Sequence, residues 1–518
     1  MNKKNLFLSV MNFTKKIAIW LLILSPFFGC ESPKKESISF SELTISDIHE
    51  AYQNGKFNSQ ELVQAYLDRI EQMDSAINSI SMIHPEAMEI AKALDEEFRQ
   101  TKTLRPLHGI PLIVKDNINT KGLPTTAGSL ALQDFYPEED AFIIQKLVAA
   151  GAIVLAKSNM AEWAFSPMHS ESSTVGITRN PYNLDHVPAG SSGGTGASIA
   201  SNFGTIGLGT DTGNSIRGPS SHNALVGFRT TLGLVSREGI VPLYLRNDVV
   251  GPMCRTVEDA VKVLEVIAGY DAKDSLTLHG EGKIPSNYSQ YLDKEGLKGA
   301  RIGVLKDLIG DNMDEEVNIL FEKALSDMAN LGATIEYVEI PDFDQLSQDQ
   351  WCPTFRLDLE DFLKTYIKRD TLQSLEDIMR IGTHSAYTKG RMERLSTNTL
   401  RRENPDLPCG DAYTDPRRIA FREAIEAKMD ALQLDALVYP SWNNKPARID
   451  FFEEEYKGDN NQIISPHTGQ PAFTVPMGFT SGNLPAGLQF LGRMYDEPVL
   501  IKLTYSYEQG TMHRKSPN

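Results

Sequence analysis

The chain has 518 residues, 41% hydrophobic and 23% charged, enough apolar content for a large core and unlike a disordered or fibrous chain. Its formal net charge of −17 at pH 7 argues against nucleic acid as a partner, because phosphate contacts need a basic surface. The acidic balance is read as solubility, and no linker-like stretch, internal repeat or low-complexity block marks a domain boundary.

The N-terminus differs from the rest. "MNKKNLFLSVMNFTKK" carries Lys3, Lys4, Lys15 and Lys16, and an apolar run follows from Ile17 to Cys30, the n-region and h-region of an export signal. As a helix this run rises about 21 Å, short of the roughly 30 Å hydrocarbon core, so a cleaved signal fits better than a membrane span. The closing "FFGC" resembles a bacterial lipobox, although Phe27 and Phe28 depart from its usual residues. The expected organisation is a signal peptide over 1–29, Cys30 as the lipidated mature N-terminus, a tether over 30–40 and one domain over 41–518. The expected location is the cell envelope, as a periplasmic or outer-membrane lipoprotein attached through Cys30, with plain secretion as the second choice.

In chain order, "NSQELVQAYLDRIEQM" predicts a helix: Asn58 caps it, Glu61 reaches back from the third position, and Leu62, Tyr66 and Ile70 share a face. "GIPLIVKDNI" reads as an apolar strand ending in Lys115, for which snorkelling to water or pairing with Asp116 is the ordinary structural reading. "AFIIQKLVAAGAIVLAKSNM" predicts a helix stopped by Gly151 and a buried strand over 152–156. A helix ended by Gly332 before a strand, and a helix leading into "DALVYP", repeat that alternation. Strands at "PAFTVPMGF" and "AGLQFLGRM" and a closing helix over "EPVLIKLTYSYEQG" complete an α/β pattern with a largely covered sheet. Residues 340–415, rich in charges and helix formers, give no motif. Cys254, Cys352 and Cys409 are odd in number and lack C-x-x-C spacing, so neither a disulfide framework nor a zinc site is expected, and the scattered histidines suggest no metal.

Glycine, serine and threonine dominate residues 187–242, "VPAGSSGGTGASIASNFGTIGLGTDTGNSIRGPSSHNALVGFRTTLGLVSREGIVP". Apolar pieces such as "GTIGLG" interrupt the run, so it is not a flexible linker. Such a segment brings backbone close to something. A phosphate cradle fails on spacing, since neither G-x-x-x-x-G-K-[ST] nor G-x-G-x-x-G is present. "GSSGG" fits a nucleophile elbow on Ser192, but that motif needs a strand before it, and "RNPYNLDHVPA" is poor strand material. The third reading takes Ser215 as nucleophile and Lys115, desolvated behind Leu112, Ile113 and Val114, as a neutral lysine base.

Lys115 in "GIPLIVKD", followed by "AGSSGGTGAS" and "GLGTDTGNSIRGP", resembles the amidase signature family, and "GAIVLAKSNMAEWA", "LDALVYPS", "GQPAFTVPMGF" and "LPAGLQFLGRMYDE" extend the resemblance over roughly residues 40–515. It implies an amidase-signature α/β fold, a central mixed β-sheet covered by α-helices on both faces, with its signature core at about 105–260. It implies hydrolysis of a carboxylic or peptide C-terminal amide through an acyl-enzyme, with no cofactor and a small-molecule amide as partner. Ser215 becomes the nucleophile, Ser191 a bridging serine on a cis peptide bond, and Lys115 the base. The backbone amides of Thr212, Gly213, Asn214 and Ser215 become the oxyanion donors, with Ser192, Asp211 and Arg217 supporting and "MAEWAFSPM", including Trp163 and Phe165, as pocket wall. Ala189 and Asn214 stand where the family commonly has glycine. Asn214 is expected to keep the loop's shape through its tolerance of left-handed backbone and to alter substrate preference. One alternative is the glutamine-hydrolysing component of an amidotransferase, against which the export segment speaks. The other is a silent binding protein, against which the intact lysine and serines speak.

Overall fold

The structure, a computed structural model, describes residues 39–310, 312–397 and 409–517; the expected signal peptide, Cys30 and nearly all of the tether lie outside them. Its strands are β1 Ile80–Ile83, β2 Pro111–Lys115, β3 Ile153–Ser158, β4 Glu171–Ser172, β5 Gly176–Ile177, β6 Ile206–Asp211, β7 Val226–Arg229, β8 Val249–Cys254, β9 Arg301–Leu305, β10 Thr334–Val338, β11 Ala436–Pro440, β12 Ala472–Thr480 and β13 Leu484–Leu491. β4 and β5 pair only with each other; the rest form one mixed sheet in the order β1-β3-β2-β6-β8-β7-β12-β13-β11-β9-β10. β3, β2 and β6 run parallel, as do β11, β9 and β10, and antiparallel strands lie between these blocks. The central strands are buried along their whole length while the edge strands β1 and β10 are partly exposed. This is why the former read as continuous apolar runs. Helices cover both faces, giving the α/β/α architecture, and residues 41–518 form one compact unit.

Local signals account for the elements. The helix Ser59–Ile77 starts with the Asn58/Glu61 capping box and buries Leu62, Tyr66 and Ile70. Helices Phe142–Ala149, Glu315–Asn330 and Pro416–Ala431 each precede a sheet strand, and Gly332 takes a left-handed φ of 99° at the turn into β10. β3 runs two residues past the expected strand, to Ser158, and so carries a second lysine, Lys157, into the core.

One expectation is corrected by the fold. Cys352 and Cys409 form a disulfide, with Cα atoms 5.8 Å apart and a sequence separation of 57, while Cys254 is free and buried. Neither half-cystine has a local spacing signal, because tertiary packing creates the pairing. The motif-poor stretch is a helical cap: helices Phe355–Phe362, Leu375–Ile381 and Ala386–Ser396 bury Phe355, Leu359, Ile378, Met392 and Leu395 against Trp163, Phe165 and Tyr244.

Candidate active site

Lys115 ends β2 where neighbouring β6 continues to Thr210 and Asp211. Its Nζ lies 2.7 Å from Ser191 Oγ and donates to Thr210 Oγ1 at 2.8 Å. Asn117 Nδ2 also donates to Thr210 Oγ1, at 3.1 Å. Lys115 is wholly buried with no carboxylate in contact among the described residues, and burial pulls its pKa down to about 7 against the weaker pull of Asp211 and Asp248. Asp116 does not pair with it. That carboxylate faces Lys157 Nζ at 3.4 Å and accepts from the Thr126 hydroxyl. Lys157, held by Ile118 O at 2.7 Å and Thr125 Oγ1 at 3.0 Å, is brought by burial to about 8.

Ser191 sits in the loop before helix Gly193–Ala200, and the Gly190–Ser191 peptide bond is cis. The glycines of "GSSGG" serve close approach. A Cβ on Gly190 would meet His169 O at 2.3 Å, and one on Gly194 would meet Asn159 O at 2.1 Å. No strand precedes the loop and Ser192 is fully buried, its Oγ donating to Thr210 O at 3.2 Å, so the elbow reading lacks its geometry. Among the described residues no histidine hydrogen-bonds Ser191, Ser192 or Ser215. His222 packs its ring edge-on to Trp442 at 4.1 Å, and burial drops its pKa to about 3.

Ser215 follows β6 on a bend that leads into the short helix Arg217–His222. It keeps 5% of its surface whereas Lys115 and Ser191 keep none, so of the three only Ser215 opens to a ligand. The bend is fixed from below by Asp211. Its carboxylate takes Arg217 Nε at 3.1 Å, Arg229 Nη1 at 2.8 Å and the Ile216 N–H at 3.1 Å. Burial pushes that carboxyl upward, but the two guanidiniums outweigh it and hold it at about 2. Arg217 closes the frame by donating to Gly213 O and Asn461 O at 2.6 and 2.8 Å. In the same bend, the N–H groups of Thr212, Gly213, Asn214 and Ser215 find no acceptor among the described residues, whereas the next two, of Ile216 and Arg217, go to Asp211.

Thr212, Gly213, Asn214 and Ser215 form the floor of a cavity of about 510 Å³, the size of a small-ligand site. Phe165, Pro167 and Met168 supply one wall; Trp163 does not, being packed against Phe355 in the core. Trp351, Cys352, Tyr387 and Arg391, all from the motif-poor stretch, supply another. A larger cleft of about 790 Å³, lined by Pro137, Glu138, Arg237 and Lys273 among others, contains none of Lys115, Ser191 or Ser215. Asn214 is not in left-handed backbone: the positive φ, 62°, belongs to Ala189. Instead the Asn214 side chain accepts from Ser215 Oγ at 3.4 Å and donates to Pro167 O at 3.2 Å. Sequence reasoning missed Thr210, Asn117 and Lys157; their only signal was a polar side chain at a strand end or in the following turn.

Comparison with known proteins bears on the family and the fold. Residues 61–501 match the family described as Amidase. A probable amidase of Arabidopsis thaliana is 32% identical over 506 residues, covering 96% of this chain and 95% of that protein. A glutamyl-tRNA(Gln) amidotransferase component from Acinetobacter baumannii is 35% identical over 488 residues, covering 90% and 96%. The X-ray structure of native peptide amidase from Stenotrophomonas maltophilia superposes with a TM-score of 0.83 at 34% identity, covering 92% of this chain and 99% of that one. With the family match spanning residues 61–501 and the fold shared over 92% of the chain, the protein belongs to the amidase family, hydrolases of amide C–N bonds.

Proposed function

We propose that the chain hydrolyses a carboxylic or peptide C-terminal amide through an acyl-enzyme on Ser215, with Ser191 and Lys115 as its proton relay. The observation that carries this reading is the 2.7 Å contact between Ser191 Oγ and Lys115 Nζ, both wholly buried, with Ser215 the serine among the described residues that lines the cavity. A lysine brought to about 7 is substantially neutral near neutral pH and takes the Ser191 proton as Ser191 takes that of Ser215. For this the Ser215 hydroxyl leaves Asn214 Oδ1, to which it donates at 3.4 Å, and donates to Ser191 instead. Its oxygen then bonds the amide carbon, the carbonyl oxygen becomes an oxyanion facing the unpaired N–H groups of the 212–215 bend, and the relay returns the proton to the leaving nitrogen as the C–N bond breaks. Water attacks the resulting ester by the same relay and releases the acid.

The likeness to peptide amidase and the aromatic walls of the cavity, Phe165, Tyr244, Trp351, Tyr387 and Tyr456, favour an acyl part larger than a simple aliphatic acid. The likeness to amidotransferase components is read as shared ancestry. The Cys352–Cys409 disulfide favours an oxidising compartment and so supports export; the lipid anchor on Cys30 rests on the sequence alone. A fluorophosphonate probe tests the nucleophile: labelling is expected to vanish in Ser215→Ala and to persist in Ser192→Ala, and the opposite pattern would refute this assignment.

A further inference from the structure

Of the seventeen described residues that line the cavity above Ser215, Arg391 is the only one with a formal charge. It projects from helix Ala386–Ser396, which Met392 and Leu395 anchor in the core. One guanidinium nitrogen donates to Tyr244 Oη at 3.0 Å, and Tyr244 is itself fixed through its backbone N–H on the Asp248 carboxylate. Nε is buried without an acceptor. Among the described residues no carboxylate pairs with Arg391; Arg217 and Arg229 share Asp211, Arg246 faces Asp415, and Arg255 and Arg418, which also lack a carboxylate, are each taken up by two or more backbone carbonyls, whereas Arg391 lines the cavity. The nearby acid Glu453 lines an adjoining groove with Arg394.

A partly desolvated guanidinium with an unmet donor is unfavourable unless something supplies an acceptor. Its planar fork suits a carboxylate. We infer that the amide substrate carries a second, anionic group remote from the scissile bond, a carboxylate received by Arg391, while the aromatic walls hold the apolar part between the two. This rests on the amidase reading and narrows its substrate class. The chain's net charge of −17 works against anions at long range, so selection falls to this short-range contact and appears in affinity.

The test is calorimetric binding to Ser215→Ala protein, which needs no turnover, so its failure is separable from failure of the labelling experiment. Two matched pairs serve as ligands: N-succinyl- against N-acetyl-L-phenylalaninamide, and N-acetyl-L-glutamyl- against N-acetyl-L-glutaminyl-L-phenylalaninamide. In at least one pair the carboxylate ligand is expected to bind about tenfold more tightly, as for a charge-assisted hydrogen bond. The ratio should fall to about one when Arg391→Met is added and remain partly when Arg391→Lys is added. Equal affinities in both pairs, or a ratio that survives Arg391→Met, would overturn the inference.

Discussion

At the residue scale, the proposed relay rests on a lysine buried with no counterion in contact among the described residues. Burial favours the neutral amine, and Ser191 Oγ and Thr210 Oγ1 orient it. If Lys115 is the base, it works only when unprotonated, and with its pKa at about 7, kcat/KM for an uncharged amide should fall about tenfold per pH unit below that point and level off above it. A profile flat from pH 5.5 to 8 would contradict the assignment. Lys115→Ala should lower kcat by about 10²–10⁴-fold with the melting curve retained. Ala189 offers a second test, since its φ of 62° is left-handed and costs an alanine about 1 kcal/mol that glycine does not incur. Ala189→Gly should therefore stabilise the fold modestly in urea denaturation. Lys115 was legible as a candidate base from the apolar strand before it, whereas the Asp116–Lys157 pair was not, because Lys157 enters the core only through the parallel pairing of β3 with β2.

At the element scale, caps, stop glycines and apolar runs mark the helices and strands, because those signals lie within a few residues of one another. The cavity walls are different. Helix Ala386–Ser396 and the Trp351–Pro353 segment looked featureless, since their residues fit no motif and what they face is set by residues far away in the chain. The disulfide ties that wall to the approach of helix Pro416–Ala431. Closing a loop of this separation, 57 residues, is worth about 4 kcal/mol in the chain-entropy account. Cys352→Ala with Cys409→Ala should thus lower the urea midpoint by a corresponding amount, and reductant should reproduce the loss in the parent but not in the double variant. Since Cys352 also lines the cavity, substrate KM should rise in parallel.

At the scale of the whole molecule, the proposal joins a catalytic unit over 41–518 to an N-terminal export signal. If Cys30 is the lipid anchor, expression in a bacterial host should place the parent in the membrane fraction, and Cys30→Ala should shift it to the soluble fraction without loss of catalytic activity. By itself the sequence determined the α/β class, the family and Lys115, Ser191 and Ser215 as the candidates for the chemistry, because glycine spacing, strand patterns and small-residue loops are written locally. Tertiary structure decided what surrounds them: Thr210 beneath the lysine, the Cys352–Cys409 bond, the Asn214 contact to Ser215 and Arg391 as the charge in the cavity. The physical reason is distance along the chain. Burial, pKa and hydrogen-bond partners arise between residues such as Lys115 and Ser191, 76 positions apart, and only the folded sheet with its loops brings them together.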